Sequence, residues 1–351
     1  MRVLMTTDTV GGVWTYALEL ADALAAHDTE VVLATIGPPP SPGQRAELAR
    51  SAVVDVRSLD GLLEWMDDPW ADLERSGEWL LELRDEVRPD LVHLNAYAHG
   101  TLPWRVPVVV VGHSCVLSWW RAVRRENAPA EWDAYREAVT AGLALADLVV
   151  APTRTMLDEL ERLYAPPGLT AAIPNGRRPP AVRGRKEPLV LAAGRLWDEA
   201  KNVAALDRVA PRLRWPVVVA GEGPAPVNAH GLGHLRRDEL DSWLSRASIF
   251  ALPARYEPFG LAALEAAGAG AALVLGDIPS LREVWGDAAL YVDPDDDDEL
   301  AAALTRLADE PELRTGMAER AVARAGAYTP ARMGAAYAAA YAALVPTEAA
   351  A

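Results

Sequence analysis

Cysteine and lysine are scarce in this chain, and long apolar runs are missing altogether. One cysteine, Cys115, stands in 351 residues. It has no partner for an internal disulfide, which suggests a reducing compartment and a cytoplasmic protein. No apolar stretch approaches the roughly 20 residues that a membrane span requires, and runs such as Val106 to Val111 have the length of a buried strand. Met1-Arg2 leads directly into such a strand, without the apolar core or small-residue cleavage site of a leader, so none is expected. Positive charge is in deficit too, with 34 Lys and Arg against 50 Asp and Glu, a formal net charge of −16. A nucleic-acid partner needs a basic surface, so that class is set aside. An anionic ligand would need a local cationic island. Only two of the cations are lysines, Lys186 and Lys201, which draws attention to any place where arginine has not been used.

What is present is a regular alternation. Val3-Leu4-Met5 reads as a strand, Gly11-Gly12 as a turn, Val13 to Ala26 as a helix, and Val31 to Ala34 as the next strand. Further apolar strands follow at Leu91 to Leu94, Val108 to Val111 and Leu148 to Val150, each apolar throughout, as parallel strands covered on both faces tend to be. A turn-rich basic stretch from Pro174 to Arg185 reads as a linker. A second series then begins at Leu189 to Ala193 and continues through Val217 to Ala220, Ser248 to Leu252, Ala272 to Leu275 and Ala289 to Val292. The expectation is an α/β chain of two Rossmann-like, doubly wound domains, residues 1–180 and 181–330, facing across a cleft, with a C-terminal helix in 331–351 packing back on the first domain.

The most informative segment runs from Ala254 through Arg255-Tyr256-Glu257-Pro258-Phe259-Gly260-Leu261 to Glu265. It follows a strand and opens an alanine-rich helix. Gly260 permits close approach of a ligand to the backbone, and the helix start attracts phosphate oxygens through its unpaired N–H groups. Glu257 and Glu265 offer carboxylates, each able to accept two hydroxyl hydrogens of a sugar diol. Alternatively Glu257 caps the helix and Glu265 is a solvated surface residue.

With Pro-Phe-Gly-Leu intact inside it, this segment resembles the Glu, seven residues, Glu signature of the retaining GT-B glycosyltransferases of family 4, also called group 1. Weaker matches follow in order along nearly the whole chain: Gly11-Gly12, Asp147 to Thr153, Ile173-Pro174-Asn175-Gly176, Gly194-Arg195-Leu196 with Lys201, Gly221-Glu222-Gly223-Pro224 and Asp293-Pro294. The resemblance implies transfer of a hexose-type sugar from a nucleoside-diphosphate sugar, UDP first and GDP second, to a hydroxyl acceptor, without cofactor or metal. It implies that Arg195 and Lys201 hold the donor diphosphate, that Glu265 binds the ribose and that Glu257 holds hydroxyls of the transferred sugar. Gly11, Gly12, Asn175, Gly194, Leu235, Phe259, Gly260 and Leu261 complete the implied donor site, and His113, beyond the Val108 to Val111 strand, corresponds to an active-site histidine.

The chain departs from the family pattern after His113, where Ser114-Cys115 replaces the frequent aspartate and Trp119-Trp120-Arg121 follows. Tyr97, Ser114, Trp119 and Trp120 are therefore candidates for the acceptor side, a carbohydrate, lipid-linked or small-molecule hydroxyl. Arg121, Arg124 and Arg125 form either a solvated helix face or a patch for an acidic acceptor or a membrane surface. The acidic run Asp293 to Asp298 reads as a loop and helix cap rather than a metal site. Gly221-Glu222-Gly223 lacks the third glycine of a dinucleotide fingerprint. A sugar-nucleotide epimerase and a non-catalytic nucleotide-sugar binder are the rival readings.

Overall fold

The computed structural model describes residues 1–180 and 184–345, so positions 181–183 of the expected linker and the last six residues of the expected C-terminal segment lie outside the described residues. In chain order the elements are β1 (Arg2–Asp8), α1 (Gly12–Ala25), β2 (Glu30–Ile36), α2 (Pro42–Leu48), β3 (Asp55–Leu59), α3 (Trp70–Val87), β4 (Leu91–Leu94), β5 (Val108–Val111), α4 (Val116–Val123), α5 (Asp133–Ala144), β6 (Leu148–Ala151), α6 (Arg154–Tyr164) and β7 (Leu169–Ala172). They continue with β8 (Glu187–Ala193), α7 (Val203–Val209), β9 (Val217–Ala220), β10 (His230–Gly233), α8 (Arg237–Arg246), β11 (Ala247–Leu252), α9 (Leu261–Gly268), β12 (Ala272–Gly276), α10 (Pro279–Trp285), β13 (Leu290–Val292), α11 (Asp297–Asp309), α12 (Pro311–Ala325) and α13 (Pro330–Leu344). Among the described residues no helix is long and apolar enough to cross a membrane.

Two compact units result. Most of the chain up to Gly176, together with the segment from Pro330, forms the first, and Arg177–Thr329 is the body of the second. The boundary falls at Gly176/Arg177 because Arg177 is tied to the second unit at both its backbone and its side chain. Its N–H donates to the Tyr328 carbonyl, and its guanidinium pairs with Glu265.

In the first unit seven parallel strands run in the order β3-β2-β1-β4-β5-β6-β7. Successive crossovers move outward from β1 on one side and from β4 on the other, so the topological switch lies between these two, where Val3 pairs with Leu91. One face of this sheet buries Val3, Met5, Val31, Leu33, Val109 and Val111 against α1 and α13, from which Trp14, Leu20, Met333, Tyr337 and Tyr341 are buried. Each such side chain is worth about 1.5–3 kcal/mol of transfer free energy.

The second unit has six parallel strands in the order β10-β9-β8-β11-β12-β13, with its switch between β8 and β11. Alternate residues of β8 enter opposite cores. Leu189, Leu191 and Ala193 pack with α9 and α10, whereas Val190 and Ala192 pack with α7 and α11. Burial on both faces is why this strand carries no polar alternation.

Candidate functional site

Ligands of open α/β sheets bind beyond the carboxyl ends of strands at the switch point. In the second unit those ends are Ala193 of β8 and Leu252 of β11, and the loops leaving them carry the expected donor residues. The loop after β9 presses close. A Cβ on Gly221 would lie 1.7 Å from the Gly194 carbonyl oxygen, so only glycine fits there. Asp198, buried, accepts from Arg195 Nη2 at 2.9 Å and from the Ala200 N–H at 3.0 Å, which shapes the turn ahead of Lys201. Asn202 then sits in the left-handed region at φ 53° and donates from Nδ2 to the carbonyls of Pro253 (3.0 Å) and Pro294 (2.7 Å). Together with the Arg255 N–H to Ala200 carbonyl bond of 2.8 Å, this fastens the two switch-point loops to each other.

Within that frame Lys201 Nζ lies 2.6 Å from Glu257 Oε2, each side chain only 15% exposed. The other oxygen, Oε1, accepts the N–H groups of Gly260 (2.9 Å) and Phe259 (3.3 Å). Glu257 is thus a helix-start ligand and an ion-pair partner at once. The N–H groups of Phe259 and Gly260, expected to be open to phosphate, are engaged by Glu257, and the next in line are those of Leu261 and its successors at the head of α9. Gly260 itself has φ 91°, a conformation that disfavours a side chain.

Glu265 lies in α9, its side chain 6% exposed, rather than at the solvated surface. Its Oε1 takes two guanidinium groups, Arg177 Nε at 2.6 Å and Arg237 Nη1 at 2.5 Å. Arg237 also pairs with Asp241 at 2.5 Å, a carboxyl whose pKa is pushed up by burial against the pull of Arg237. The sequence did not single out Arg177, Arg237 or Asp198. Arg177 had a signal, standing directly after the Pro-Asn-Gly turn, whereas Arg237 opens α8 amid other charged residues and had none. Arg195 stacks 5.2 Å above the Trp197 ring, and its Nε is buried with no hydrogen-bond partner among the described residues. Leu235 is partly buried against the core just before α8.

In the first unit Gly11, at φ 102°, precedes α1, and Gly12 is its first residue. His113 follows β5 and is partly exposed, with Nε2 2.8 Å from Asn95 Oδ1 and its ring 4.4 Å from that of Tyr16. Burial, and secondarily the neighbouring His93, lower its pKa to about 3, so it is neutral. Asn175 is buried, and its Oδ1 has no hydrogen-bond partner among the described residues.

On the expected acceptor side Tyr97 is a correction. It is 3% exposed and donates its hydroxyl to the Ser114 carbonyl at 2.8 Å, so it is part of the core and not a surface for an acceptor. Ser114 is exposed, while Trp119 and Trp120 are half-buried and meet edge to face at 5.9 Å. Cys115 is buried with its thiol pKa raised by desolvation, as befits a core residue. Glu64 was not anticipated. This buried carboxyl accepts the N–H groups of Tyr97 and Ala98, each at 2.9 Å, and burial raises its pKa to about 7. In the acidic run, Asp296 caps α11, Asp297 pairs with Arg208 and Asp295 with Arg255.

Family models match both parts of the chain, glycosyltransferase family 4 over residues 10–179 and glycosyl transferases group 1 over residues 187–310. A glycogen synthase of Mycobacterium tuberculosis is 31% identical over 369 aligned positions, covering 89% of this chain and 87% of the relative. A D-inositol 3-phosphate glycosyltransferase of Streptomyces bingchenggensis is 28% identical, covering 88% and 79%. Among solved structures, sucrose-phosphate synthase of Thermosynechococcus elongatus has a TM-score of 0.79 at 19% identity, covering 98% of this chain and all of that one. An Anabaena HepE structure with UDP and glucose has a TM-score of 0.76 at 16% identity, with the same coverage. With its two parallel doubly wound sheets, its ordered motifs and a relative at 31% identity along most of its length, the chain belongs to the GT-B glycosyltransferases of family 4, group 1.

Proposed function

We propose that the protein transfers a hexose from a UDP-sugar to a hydroxyl acceptor with retention of the anomeric configuration. The observation that carries this reading is the Lys201–Glu257 pair at the start of α9, with Glu265 on the same helix. Unliganded, the pair satisfies itself. A nucleotide sugar offers what each partner needs instead, a diphosphate for Lys201 and sugar hydroxyls for Glu257, so donor binding exchanges one set of charge-assisted bonds for another without stranding a buried charge. Glu265, its Oε1 fixed by Arg177 and Arg237, is oriented to accept ribose hydroxyls at Oε2.

Arg195 and Lys201 balance the charge that develops on the departing diphosphate, which makes a metal unnecessary in this reading. Gly194, Leu235, Phe259, Gly260 and Leu261 bound the donor in the second unit. His113, Ser114, Trp119 and Trp120 serve the transferred sugar and the acceptor. No side chain is assigned as a nucleophile, and the acceptor attacks from the face the leaving group vacates. UDP is favoured over GDP because the similar Anabaena fold was solved with UDP and with UDP-glucose.

The test is a thermal-stability screen with nucleoside diphosphates and nucleotide sugars, followed by product analysis with the donor that binds. A folded-state ligand at 100 times its Kd adds about 2.7 kcal/mol. We expect UDP and a UDP-hexose to raise the melting temperature and the product to keep the donor's anomeric configuration by NMR. An inverted product would overturn the retaining mechanism, and stabilisation by GDP alone would overturn the choice of nucleotide.

A further inference from the structure

Asn95 is the first residue beyond β4, at the switch point of the first sheet and beside Thr6 of β1. Its Nδ2 lies 2.7 Å from the Thr6 carbonyl oxygen, and its backbone N–H donates to Thr6 Oγ1 at 2.9 Å. A carbonyl oxygen can only accept. The amide nitrogen of Asn95 must therefore face Thr6, and Oδ1 must face the opposite way. Two imidazoles converge on that oxygen, His113 Nε2 at 2.8 Å and His93 Nε2 at 3.2 Å. Since Oδ1 also can only accept, both Nε2 atoms carry hydrogen, and the Tyr16 hydroxyl 3.4 Å from His93 Nε2 is on the accepting side.

The rest of the chain of bonds follows. His93 is buried, which lowers its pKa to about 4, so it is neutral and its Nδ1 is a lone pair. That lone pair takes the hydroxyl hydrogen of Tyr341, on α13, at 2.6 Å. Tyr16 of α1 and Tyr337 of α13 pack their rings on this pair of histidines.

We propose that Asn95, pinned by Thr6, is a positioning residue that holds His113 as the neutral Nε2–H tautomer, so that the Nδ1 lone pair is what His113 presents to a hydroxyl of the sugar or acceptor. The bonding through His93 to Tyr341 makes α13 the outer support of the arrangement. An unconstrained imidazole exchanges tautomers and would offer a donor for part of the time. The functional half of this inference rests on the reading of His113 given above, while the tautomer does not.

The test is a tautomer-sensitive NMR spectrum of the full chain with 15N-labelled histidine, assigned with His113→Gln. In the wild type at pH 7, His113 is expected to show a protonated Nε2 and a bare Nδ1. Asn95→Ala should raise the Nδ1–H form to a comparable population and lower kcat more than it changes the KM for donor. Asn95→Asp keeps the acceptor and adds charge, so it should retain Nε2–H and bring in the imidazolium at least one pH unit higher than in the wild type. If the alanine variant does not fold, as judged by its thermal transition, the aspartate variant carries the test. A His113 that keeps Nε2–H undiminished in the alanine variant, an imidazolium that does not move to higher pH in the aspartate variant, or a wild type with hydrogen on Nδ1, overturns the proposal. Failure of the glycosyl-transfer reading would show separately, as a wild type that neither binds nor turns over nucleotide sugars while its histidine spectrum is as expected.

Discussion

Lys201 can be separated from its neighbours by choosing what replaces it. Its ammonium lies 2.6 Å from Glu257, at a depth where losing it leaves a carboxylate supported only by the Gly260 and Phe259 N–H groups. Lys201→Ala is expected to cost about 1–3 kcal/mol of stability through that stranded group. If the ammonium also meets diphosphate charge in the transition state, kcat should fall about 10²–10³-fold, the scale of removing one such stabilising donor. Lys201→Gln tells the two roles apart. Its amide can still donate to Glu257 but brings no charge, so stability should recover towards the wild type while turnover stays low. Urea midpoints and steady-state kinetics on both variants check this, and near-normal turnover in either would sink the diphosphate role. How legible such residues were depended on their neighbours. Glu257, Gly260 and Glu265 stand in one continuous segment whose spacing carries meaning. Arg237, at the head of α8, acts on that segment, Asp198 acts on the turn before Lys201, and Asn95 and Glu64 act on the first unit, each from another part of the chain, so no local pattern marks them.

Among the elements, the strands that the sequence revealed are, apart from the edge strand β13, those buried on both faces. The ones it did not reveal, β3, β7 and β10, are three of the four edge strands of the two sheets. The reason is solvent. β10 is His230-Gly-Leu-Gly, with three of its four residues exposed, and β3 is half-exposed along its length, so neither has a continuous apolar run. Close crossings of elements were equally hidden. Helix α5 approaches the 97–101 turn so tightly that a Cβ on Gly142 would lie 1.9 Å from the Tyr97 carbonyl oxygen, and one on Gly100 would lie 2.4 Å from the Gly142 carbonyl oxygen. Both obstacles are backbone, which cannot swing aside. Gly142→Ala is accordingly expected to destabilise the protein by about 3 kcal/mol, at the upper end of overpacking costs, read as a lower denaturant midpoint with an unchanged slope. Since the displaced backbone is that of Tyr97, two residues beyond Asn95, the variant should also disturb the His113 spectrum. An alanine variant of wild-type stability would mean that the crossing is looser than this geometry.

For the molecule as a whole, the buried ionisable groups of the first unit give stability a definite dependence on pH. His93 and His99 have pKa values lowered to about 4, and His113 to about 3, each chiefly by burial. Between those values and the ordinary 6.5 the unfolded chain binds protons that the folded one refuses, so stability is lost as pH falls through this range. Glu64 acts in the opposite sense. Burial raises its pKa to about 7 from 4.5, so between these values the folded state holds a proton that the unfolded state lacks, and stability is lost as pH rises. From pH 7 to 6.5 Glu64 acts nearly alone and the change is small. Below 6.5 three histidines oppose one carboxyl, a net uptake of up to two protons on unfolding, and below 4.5 the contribution of Glu64 is complete and no longer offsets them. The first unit should therefore be most stable near pH 6.5–7 and should lose several degrees of melting temperature by pH 4.5, at about 2–4 °C per kcal/mol for a body of this size. Scanning calorimetry at several pH values measures it, with His99→Gln as the internal check. That variant removes one of the three histidines without touching His113, so its acid-side decline should be shallower than that of the wild type. A melting temperature that stays flat or climbs from pH 6.5 to 4.5 would show that these rings accept protons while folded, which the packing of His93 and His113 against Tyr16, Tyr337 and Tyr341 argues against.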